Sequence, residues 1–167
     1  FSSCEVVGMR LIFLGPPGSG NGTQAAKLIE KVKTAHISTG DILRENVSKG
    51  TDLGLQAKGY MDSGKLVPDD LIVEMMKKRL VSEDCTKGFI LDGFPRTVSQ
   101  AESLEKMLQQ LGIRLDAVVL FNVSDEVVVE RLSGRRGCRS CGAIYHVRFN
   151  PSEKGSSCQN CGGELFQ

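Results

Sequence analysis

Residues 15–24 read GPPGSGNGTQ, a glycine-rich stretch whose residue types suit phosphate binding. Closely spaced glycines let backbone N–H groups turn towards phosphate oxygens, because no Cβ blocks the approach. Thr23 adds a hydroxyl for a phosphate or for its Mg²⁺ ion, but the lysine that usually precedes the hydroxyl residue is missing. Asn21 and Gly22 occupy that part of the loop instead. We expect the loop to bind phosphate, with a neutral side chain where a cation is usual.

The change at Asn21 bears on catalysis more than on binding. In phosphoryl transfer, most of the catalysis comes from positioning and from fixed positive charge beside the transferring group. Loss of one such donor typically lowers the rate by about 10²–10³-fold, whereas the backbone amides of a loop still bind. Two functions therefore stay open from the loop alone: a phosphotransferase, or a catalytically impaired protein that binds nucleotides.

Four cysteines form a second group with chemical potential, as two C-x₂-C pairs 16 residues apart. Four thiolates at this spacing suit a closed, tetrahedral, structural Zn²⁺ site. The expected ligands are Cys138, Cys141, Cys158 and Cys161. His146 is expected to be a surface residue rather than a ligand. A zinc ribbon that binds nucleic acid is the alternative, and the near-neutral charge of the chain opposes it.

The other two cysteines, Cys4 and Cys85, are isolated in the sequence. Paired and isolated cysteines together favour metal binding in a reducing compartment over a disulfide framework. The prediction is a cytoplasmic protein.

The elements that must position these groups alternate between apolar strands and amphipathic helices. Strands are expected at 10–15, 35–39, 88–93 and 117–123. Helices are expected at 22–32, 41–48, 52–61, 68–82, 97–111 and 124–132. This alternation predicts an α/β fold with a mostly parallel sheet, in which ligands bind beyond the carboxyl ends of the strands. Gly15, Asp92 and the turn at 123–124 fall at those ends, and the apolar run at 117–121 is expected to be a buried strand.

Composition narrows the class of protein further. A chain of 167 residues with 40% hydrophobic and 25% charged residues suits one globular domain. The formal charge of +1 argues against a broad basic surface for nucleic acid or anionic membrane. No apolar run is long enough to span a membrane, and the first residues lack the features of a secretory signal. Residues 1–8 are expected to be an N-terminal extension ahead of Met9.

Five segments together resemble adenylate kinase, in the order in which that family has them. They are GPPGSGNGTQ, ISTGDILR (37–44), GKLVPDDL (64–71), GFILDGFPRT (88–97) and GRRGCRSCGAIYHVRFNP (134–151). The resemblance implies the P-loop nucleoside monophosphate kinase fold and the reaction ATP + AMP = 2 ADP, which serves nucleotide homeostasis and biosynthesis. It also implies Mg²⁺ with ATP, a structural Zn²⁺, a monomer, and no nucleic-acid or membrane partner.

The resemblance also divides the chain. It implies a core at 9–37 and 68–133, an AMP-binding lobe at 38–67 and a zinc-stapled lid at 134–167. Further lid residues, a last strand and helices follow in the family and are expected to be absent here. The strand at 117–123 would then lie unpaired at an edge, and the isolated chain is expected to be poorly stable.

Site residues follow by matching position. The resemblance implies catalytic roles for Asp92, which holds Mg²⁺ directly or through water, and for Arg96, Arg131 and Arg135. It implies ATP binding by Gly18, Ser19, Gly20, Asn21, Gly22, Thr23, Arg135, Ile144 and Tyr145. It implies AMP binding by Thr39, Arg44, Lys65, Leu66, Val67, Gly93, Phe94, Pro95, Arg96 and Gln100.

Two alternatives concern the acceptor site. Gln100 has the spacing of a capping-box partner for Thr97, so its side chain could serve the helix, the adenine or both. A kinase for GMP or UMP would share the glycine loop but differ in this site. Thr39 and Gln100 favour AMP.

Overall fold

A computed structural model describes residues 8–63 and 65–167. Most of the predicted N-terminal extension, and Gly64 of the GKLVPDDL segment, lie outside the described residues. The strands are β1 Arg10–Leu14, β2 Ala35–Ser38, β3 Phe89–Asp92, β4 Ala117–Leu120, β5 Arg135–Cys138, β6 Ile144–His146 and β7 Leu165–Phe166. The α-helices are α1 Asn21–Val32, α2 Thr39–Ser48, α3 Asp52–Asp62, α4 Asp69–Leu80, α5 Val98–Gln110 and α6 Asp125–Ser133. A short 3₁₀ turn covers Glu83–Cys85.

The first four strands form a parallel sheet in the order β2-β3-β1-β4, which confirms the predicted α/β class. Its register places Asp92, the last residue of β3, opposite Phe13 of β1 and Ser38 of β2. The carboxyl ends of three neighbouring strands therefore meet along one edge. Residues that follow these strands are brought together there, although they are far apart in the sequence.

Two apolar clusters fix the helices against this sheet, because successive side chains of a strand point to opposite faces. Leu11, Phe13 and Ile90 pack with Ala25 of α1. Ile12 and Leu91 belong to the larger cluster, which gathers buried side chains of α2, α4 and α5 such as Ile42, Met76, Leu104 and Met107. Leu28 and Ile29 of the same helix also pack against this smaller cluster.

Strand β4 forms where it was predicted, but its expected burial is wrong. All four of its residues are exposed, with Val118 at 55% and Leu120 at 69%. The strand lies at the edge of the four-stranded sheet, where among the described residues it pairs with β1 alone. A continuous apolar run shows that a strand is hydrophobic. Whether the strand is buried depends on which other elements pack against it.

The chain separates into two compact units, one comprising residues up to Gly15 with Gly20–Phe121, the other Pro16–Ser19 with Asn122–Gln167. The second unit contains a three-stranded antiparallel sheet in the order β6-β5-β7. The sequence indicated only a loop-rich segment there, since strands of two to four residues are too short to show a period. The predicted boundaries of the core, AMP-binding lobe and lid stay predictions. Within the described residues, no helix has the length and apolar character needed to cross a membrane.

Candidate nucleotide and metal sites

The glycine loop connects the end of β1 to the start of α1. Gly18 and Gly20 have φ angles of 85° and 98°, in the left-handed region that favours glycine. Gly20 is the N-cap of α1, and Gln24 N–H donates to its carbonyl at 2.9 Å. The first backbone N–H groups of a helix have no partner within it and attract anions. The loop and Thr23, which lies exposed in the first turn, thus have the features of a phosphate site.

Asn21 and Asp92 meet at the start of α1. The amide Nδ2 of Asn21 donates to Oδ1 of Asp92 over 2.7 Å. A Cβ at Gly22 would lie 3.2 Å from Oδ2 of the same carboxylate, so glycine there permits the close approach. Asp92 is only 12% exposed in its side chain. The structure therefore brings the predicted carboxylate directly to the phosphate loop.

His36 is a neighbour of Asp92 that the sequence analysis missed. Its Nε2 lies 3.4 Å from Oδ2 of Asp92, so the two carboxylate oxygens face different nitrogen donors. His36 lies on β2 between the buried residues Ala35 and Ile37. A histidine between two buried apolar residues of a short strand was the available signal.

The turn after β3 gathers part of the predicted AMP site around one carbonyl. Gly93 O accepts hydrogen bonds from Thr39 Oγ1 at 2.9 Å and from Arg96 Nε at 2.7 Å. Phe94 is fully buried, and the Phe94–Pro95 peptide bond is cis. Arg96 itself is exposed, so its guanidinium lies at the surface of the turn.

Gln100 lies beneath this turn and is 4% exposed. Its Oε1 accepts from the Arg96 backbone N–H at 2.8 Å, and its Nε2 donates to Asp69 Oδ1 at 2.5 Å. Thr97 is the N-cap of α5, as predicted, because its Oγ1 accepts from Gln100 N–H at 3.1 Å. The reciprocal bond of a capping box would go to the Thr97 N–H, and here the glutamine reaches the preceding residue instead. Asp69 is the second residue that the sequence analysis missed.

The other predicted AMP-binding residues are not gathered by hydrogen bonds to this turn. Arg44 is exposed and pairs with Asp41 at 2.5 Å on the same helix. Leu66 is 94% exposed, whereas Val67 packs against the larger apolar cluster. The backbone N–H of Lys65 donates to Tyr60 O at 2.9 Å.

In the second unit, Arg131 lies against the phosphate loop. Its NH1 donates to the carbonyls of Gly18 and Ser19 at 3.1 and 3.0 Å. A residue 112 positions away along the chain thus fixes the loop, and Ser19 is 7% exposed. Arg135 is exposed and pairs in register with His146 across β5 and β6.

The four predicted zinc ligands converge. Their sulfur atoms all lie within 4.8 Å of one another, with Cys138 and Cys158 buried and Cys141 and Cys161 exposed. Each C-x₂-C pair is closed by the same two backbone hydrogen bonds. The glycine that follows the pair donates its N–H to the carbonyl of the first cysteine, and the N–H of that first cysteine donates to the carbonyl of the residue after the glycine. Four sulfurs this close, without disulfide geometry between them, suit one tetrahedral soft cation.

The cysteines of the cluster differ in pKa. The pKa of Cys158 falls to about 6, chiefly because the Tyr145 hydroxyl hydrogen-bonds its sulfur. The pKa of Cys138 is also lowered, chiefly by the backbone N–H of Cys141. The Ala143 backbone favours a Cys141 thiolate, but the nearby sulfurs of Cys161 and Cys158 oppose it and raise the pKa of Cys141 to about 12. A bound cation would deprotonate each cysteine that coordinates it, Cys141 included.

His146 stays outside the cluster. Its Nδ1 accepts backbone N–H bonds from Arg148 and Phe149 at 3.0 and 3.1 Å, which places the ring proton on Nε2. Nε2 lies 3.4 Å from the Glu130 carbonyl. Both ring nitrogens therefore serve the backbone of the second unit.

A parallel α/β sheet, a glycine loop between its first strand and first helix, and a carboxylate at the end of the neighbouring strand define a P-loop nucleotide-binding protein. The family model described as adenylate kinase matches residues 13–159. The chain belongs to the adenylate kinase family.

Relatives from bacteria and archaea agree with this assignment, and each bears the name adenylate kinase. The protein of Alkaliphilus oremlandii is 58% identical over 159 residues, which cover 95% of this chain and 74% of the relative. The protein of Methanocella arvoryzae is 56% identical with the same coverage. That of Archaeoglobus fulgidus is 55% identical over 95% of this chain and 73% of its own length.

Proposed function

We propose that this chain catalyses reversible phosphoryl transfer between Mg·ATP and AMP, which yields two ADP. One observation carries the proposal. Oδ1 of Asp92 lies 2.7 Å from Nδ2 of Asn21, the first residue of α1, and the Gly93–Arg96 turn follows Asp92 directly in the chain. Donor loop, metal-facing carboxylate and acceptor turn thus share one edge of the sheet. The named relatives support kinase activity, and they do not favour a nucleotide binder without turnover.

In the proposed reaction, an oxygen of the AMP phosphate attacks the γ-phosphorus of ATP. The bond from that phosphorus to the bridging β-oxygen breaks, and ADP leaves as a second ADP forms. The protein contributes position and charge rather than a covalent intermediate. Its task is to hold two polyanions in line and to exclude water.

On the ATP side, the loop from Gly18 to Thr23 would bind phosphates through its backbone N–H groups. Asp92 and Thr23 offer the oxygen ligands that Mg²⁺ prefers, the carboxylate directly or through water. Mg²⁺ would neutralise charge on the phosphates. Ile144 is 50% exposed and could contact the adenine through its side chain, whereas the Tyr145 side chain is buried, so Tyr145 would contribute its backbone.

On the AMP side, Arg96 is the proposed phosphate ligand, since its residue is exposed at the turn whose Gly93 carbonyl accepts a hydrogen bond from Thr39. Gln100 would read the adenine edge with its second Nε2 hydrogen or second Oε1 lone pair, because Asp69 and Arg96 engage one of each. Arg44 and the backbone of 65–67 would complete the site. Phe94 and Pro95 would shape the turn.

Arg131 and Arg135 are proposed to contact the phosphates in transit, since guanidinium groups match phosphate oxygens in pairs. Arg131 already lies at the loop through its bonds to Gly18 and Ser19 carbonyls. The four cysteines would hold a structural Zn²⁺ that ties the segment at 134–167 together. We further propose a cytoplasmic monomer without nucleic-acid or membrane partners.

A coupled assay that follows ADP formation tests this proposal. The chain is supplied with Mg·ATP and, in turn, AMP, GMP or UMP, with nucleotide binding measured in parallel by calorimetry. We expect turnover with AMP above the other acceptors. Tight binding of ATP and AMP without any ADP would instead identify a nucleotide-binding protein, and preference for GMP or UMP would identify a different kinase.

A further inference from the structure

Tyr145 makes a buried contact with one of the four clustered cysteines. Its hydroxyl oxygen lies 3.2 Å from the sulfur of Cys158. Tyr145 is 5% exposed and Cys158 is fully buried, so water does not replace this contact. A buried tyrosine hydroxyl normally has a hydrogen-bond partner, and here the partner is a sulfur atom.

The direction of this hydrogen bond follows from the chemistry of a metal thiolate. A metal-bound cysteine has lost its proton, so its sulfur can only accept. The tyrosine hydroxyl keeps its proton and must donate. The contact is therefore suited to a metal-bound Cys158 more than to a pair of neutral groups.

Tyr145 distinguishes Cys158 from the other three cysteines. Across residues 8–63 and 65–167, the side-chain hydrogen bonds of the cluster otherwise join sulfurs to each other, Cys138 with Cys161 at 3.4 Å and Cys141 with Cys158 at 3.6 Å. Tyr145 is thus the one side chain from outside the set that bonds a cluster sulfur in that part of the chain. Among these four cysteines, Cys158 therefore has a side-chain hydrogen bond from outside the cluster that the other three lack within the described residues.

The fold holds the tyrosine rigidly in this place. Tyr145 lies on β6 and pairs in register with Arg136 of β5, the strand that ends at Cys138. Its side chain packs with Cys138, Cys158, Ala143 and Leu165 in a small apolar cluster. The hydroxyl is therefore presented by a β-strand, and the neighbouring strand of the same sheet carries the ligand Cys138.

We propose that Tyr145 is a positioning residue of the zinc site, whose hydroxyl holds the Cys158 thiolate in ligand geometry and slows release of the metal. Outer groups that hydrogen-bond a metal ligand typically change metal affinity by about 10–100-fold when removed. Loss of the hydroxyl leaves Cys158 in place but frees its rotamer and raises the electron density on its sulfur. The inference rests on the zinc site proposed above.

The test uses the whole chain loaded with Co²⁺ or Zn²⁺, and compares Tyr145→Phe with the unchanged protein. Tyr60→Phe is the matched control, because Tyr60 is exposed and the chain has two tyrosines. Sulfur-to-cobalt charge-transfer bands report the electron density on the thiolates, and a chromogenic chelator measures the rate of Zn²⁺ release. We expect Tyr145→Phe to shift the charge-transfer band to lower energy and to release zinc about tenfold to 100-fold faster. Tyr60→Phe is expected to change neither quantity.

A second variant keeps the packing intact in case Tyr145→Phe disturbs the small sheet. In a Tyr60→Phe background, fluorotyrosine can be incorporated at position 145 alone. Fluorine makes the phenol a stronger donor, so the charge-transfer band is expected to move to higher energy and zinc release to slow. If neither variant changes the band or the release rate, the hydroxyl does not position Cys158 and the inference fails. If the unchanged protein shows no tetrahedral cobalt spectrum, the zinc site itself is overturned, which is a separate result.

Discussion

Asn21 and Asp92 are joined by a hydrogen bond of 2.7 Å between Nδ2 and Oδ1, although 71 residues separate them in the chain. The bond ties the first residue of the helix that follows the phosphate loop to the carboxylate proposed to face Mg²⁺. In the usual pattern a lysine in this loop reaches the phosphates of the nucleotide. In this chain the shorter, neutral side chain lies against the carboxylate instead.

Asn21→Lys is expected to raise kcat for ADP formation by about 10²–10³-fold, because it adds a positive charge beside the transferring phosphoryl group. The coupled assay with saturating Mg·ATP and AMP measures this. Asn21→Met is the matched control, since it supplies similar length without charge and should give no increase. Equal rates for the lysine and methionine variants would show that charge at this position is not what limits the reaction.

Asp92→Asn is expected to lower kcat by about 10²-fold, because an amide replaces the carboxylate that would help to hold Mg²⁺. The rate should be measured across a Mg²⁺ titration, where the half-saturating concentration is expected to rise. Asp62→Asn is the control, since Asp62 is exposed and pairs with Lys58 on the same helix. A normal Mg²⁺ dependence in Asp92→Asn would remove this residue from the metal site.

Gln100→Leu is expected to lower the free energy of unfolding by about 1–3 kcal/mol, because it removes the buried amide that bonds the Arg96 N–H and the partly buried Asp69 carboxylate. Urea denaturation followed by circular dichroism measures the loss. Gln109→Leu on the same helix is the control, since Gln109 is exposed and should change stability little. Similar stability for both leucine variants would contradict the bridging role of Gln100.

Two glycines of α3 allow a direct comparison of close packing with helix propensity. A Cβ at Gly54 would lie 2.0 Å from the Asn46 carbonyl oxygen, whereas nothing lies within 4 Å of one at Gly59. We expect Gly54→Ala to destabilise the protein by about 1–3 kcal/mol through overpacking against α2. Gly59→Ala is expected to stabilise it by about 0.5–1 kcal/mol, because alanine favours the helix. Melting temperatures that shift in the same direction would refute this account of α3.

Zinc content provides a prediction about the cysteine cluster. The protein purified with Zn²⁺ should contain one equivalent, and Cys158→Ser should lose most of it because a buried ligand is removed. Cys85→Ser is the control, since Cys85 lies in the apolar core near Arg79 rather than in the cluster. Elemental analysis after dialysis against a weak chelator measures both. Retention of the metal by Cys158→Ser would argue for a different ligand set.

Local sequence patterns predicted much of this molecule. The four parallel strands and six helices follow from apolar runs, helical periodicity and turn residues, all of which act within a few positions. The phosphate loop and the two C-x₂-C pairs were also recognisable, because their function depends on spacing along the chain. The short strands of the second unit were missed, and the apolar run of β4 was wrongly read as buried, since neither is decided locally. The position of β4 at an edge of the sheet was expected from the family resemblance and is confirmed.

The sequence by itself determined which groups are available: a glycine loop with Asn21, a carboxylate at the end of a strand, and four cysteines in pairs. Only the tertiary structure decided their partners. The strand order β2-β3-β1-β4 brings His36 and Asp92 to one edge. The Gln100 amide, for which a capping-box bond to Thr97 was one alternative, bonds the Arg96 N–H and Asp69 instead. The contact of Tyr145 with Cys158 likewise depends on β6 pairing with β5. Such contacts join residues that are distant in sequence, so they depend on how strands pair and helices pack.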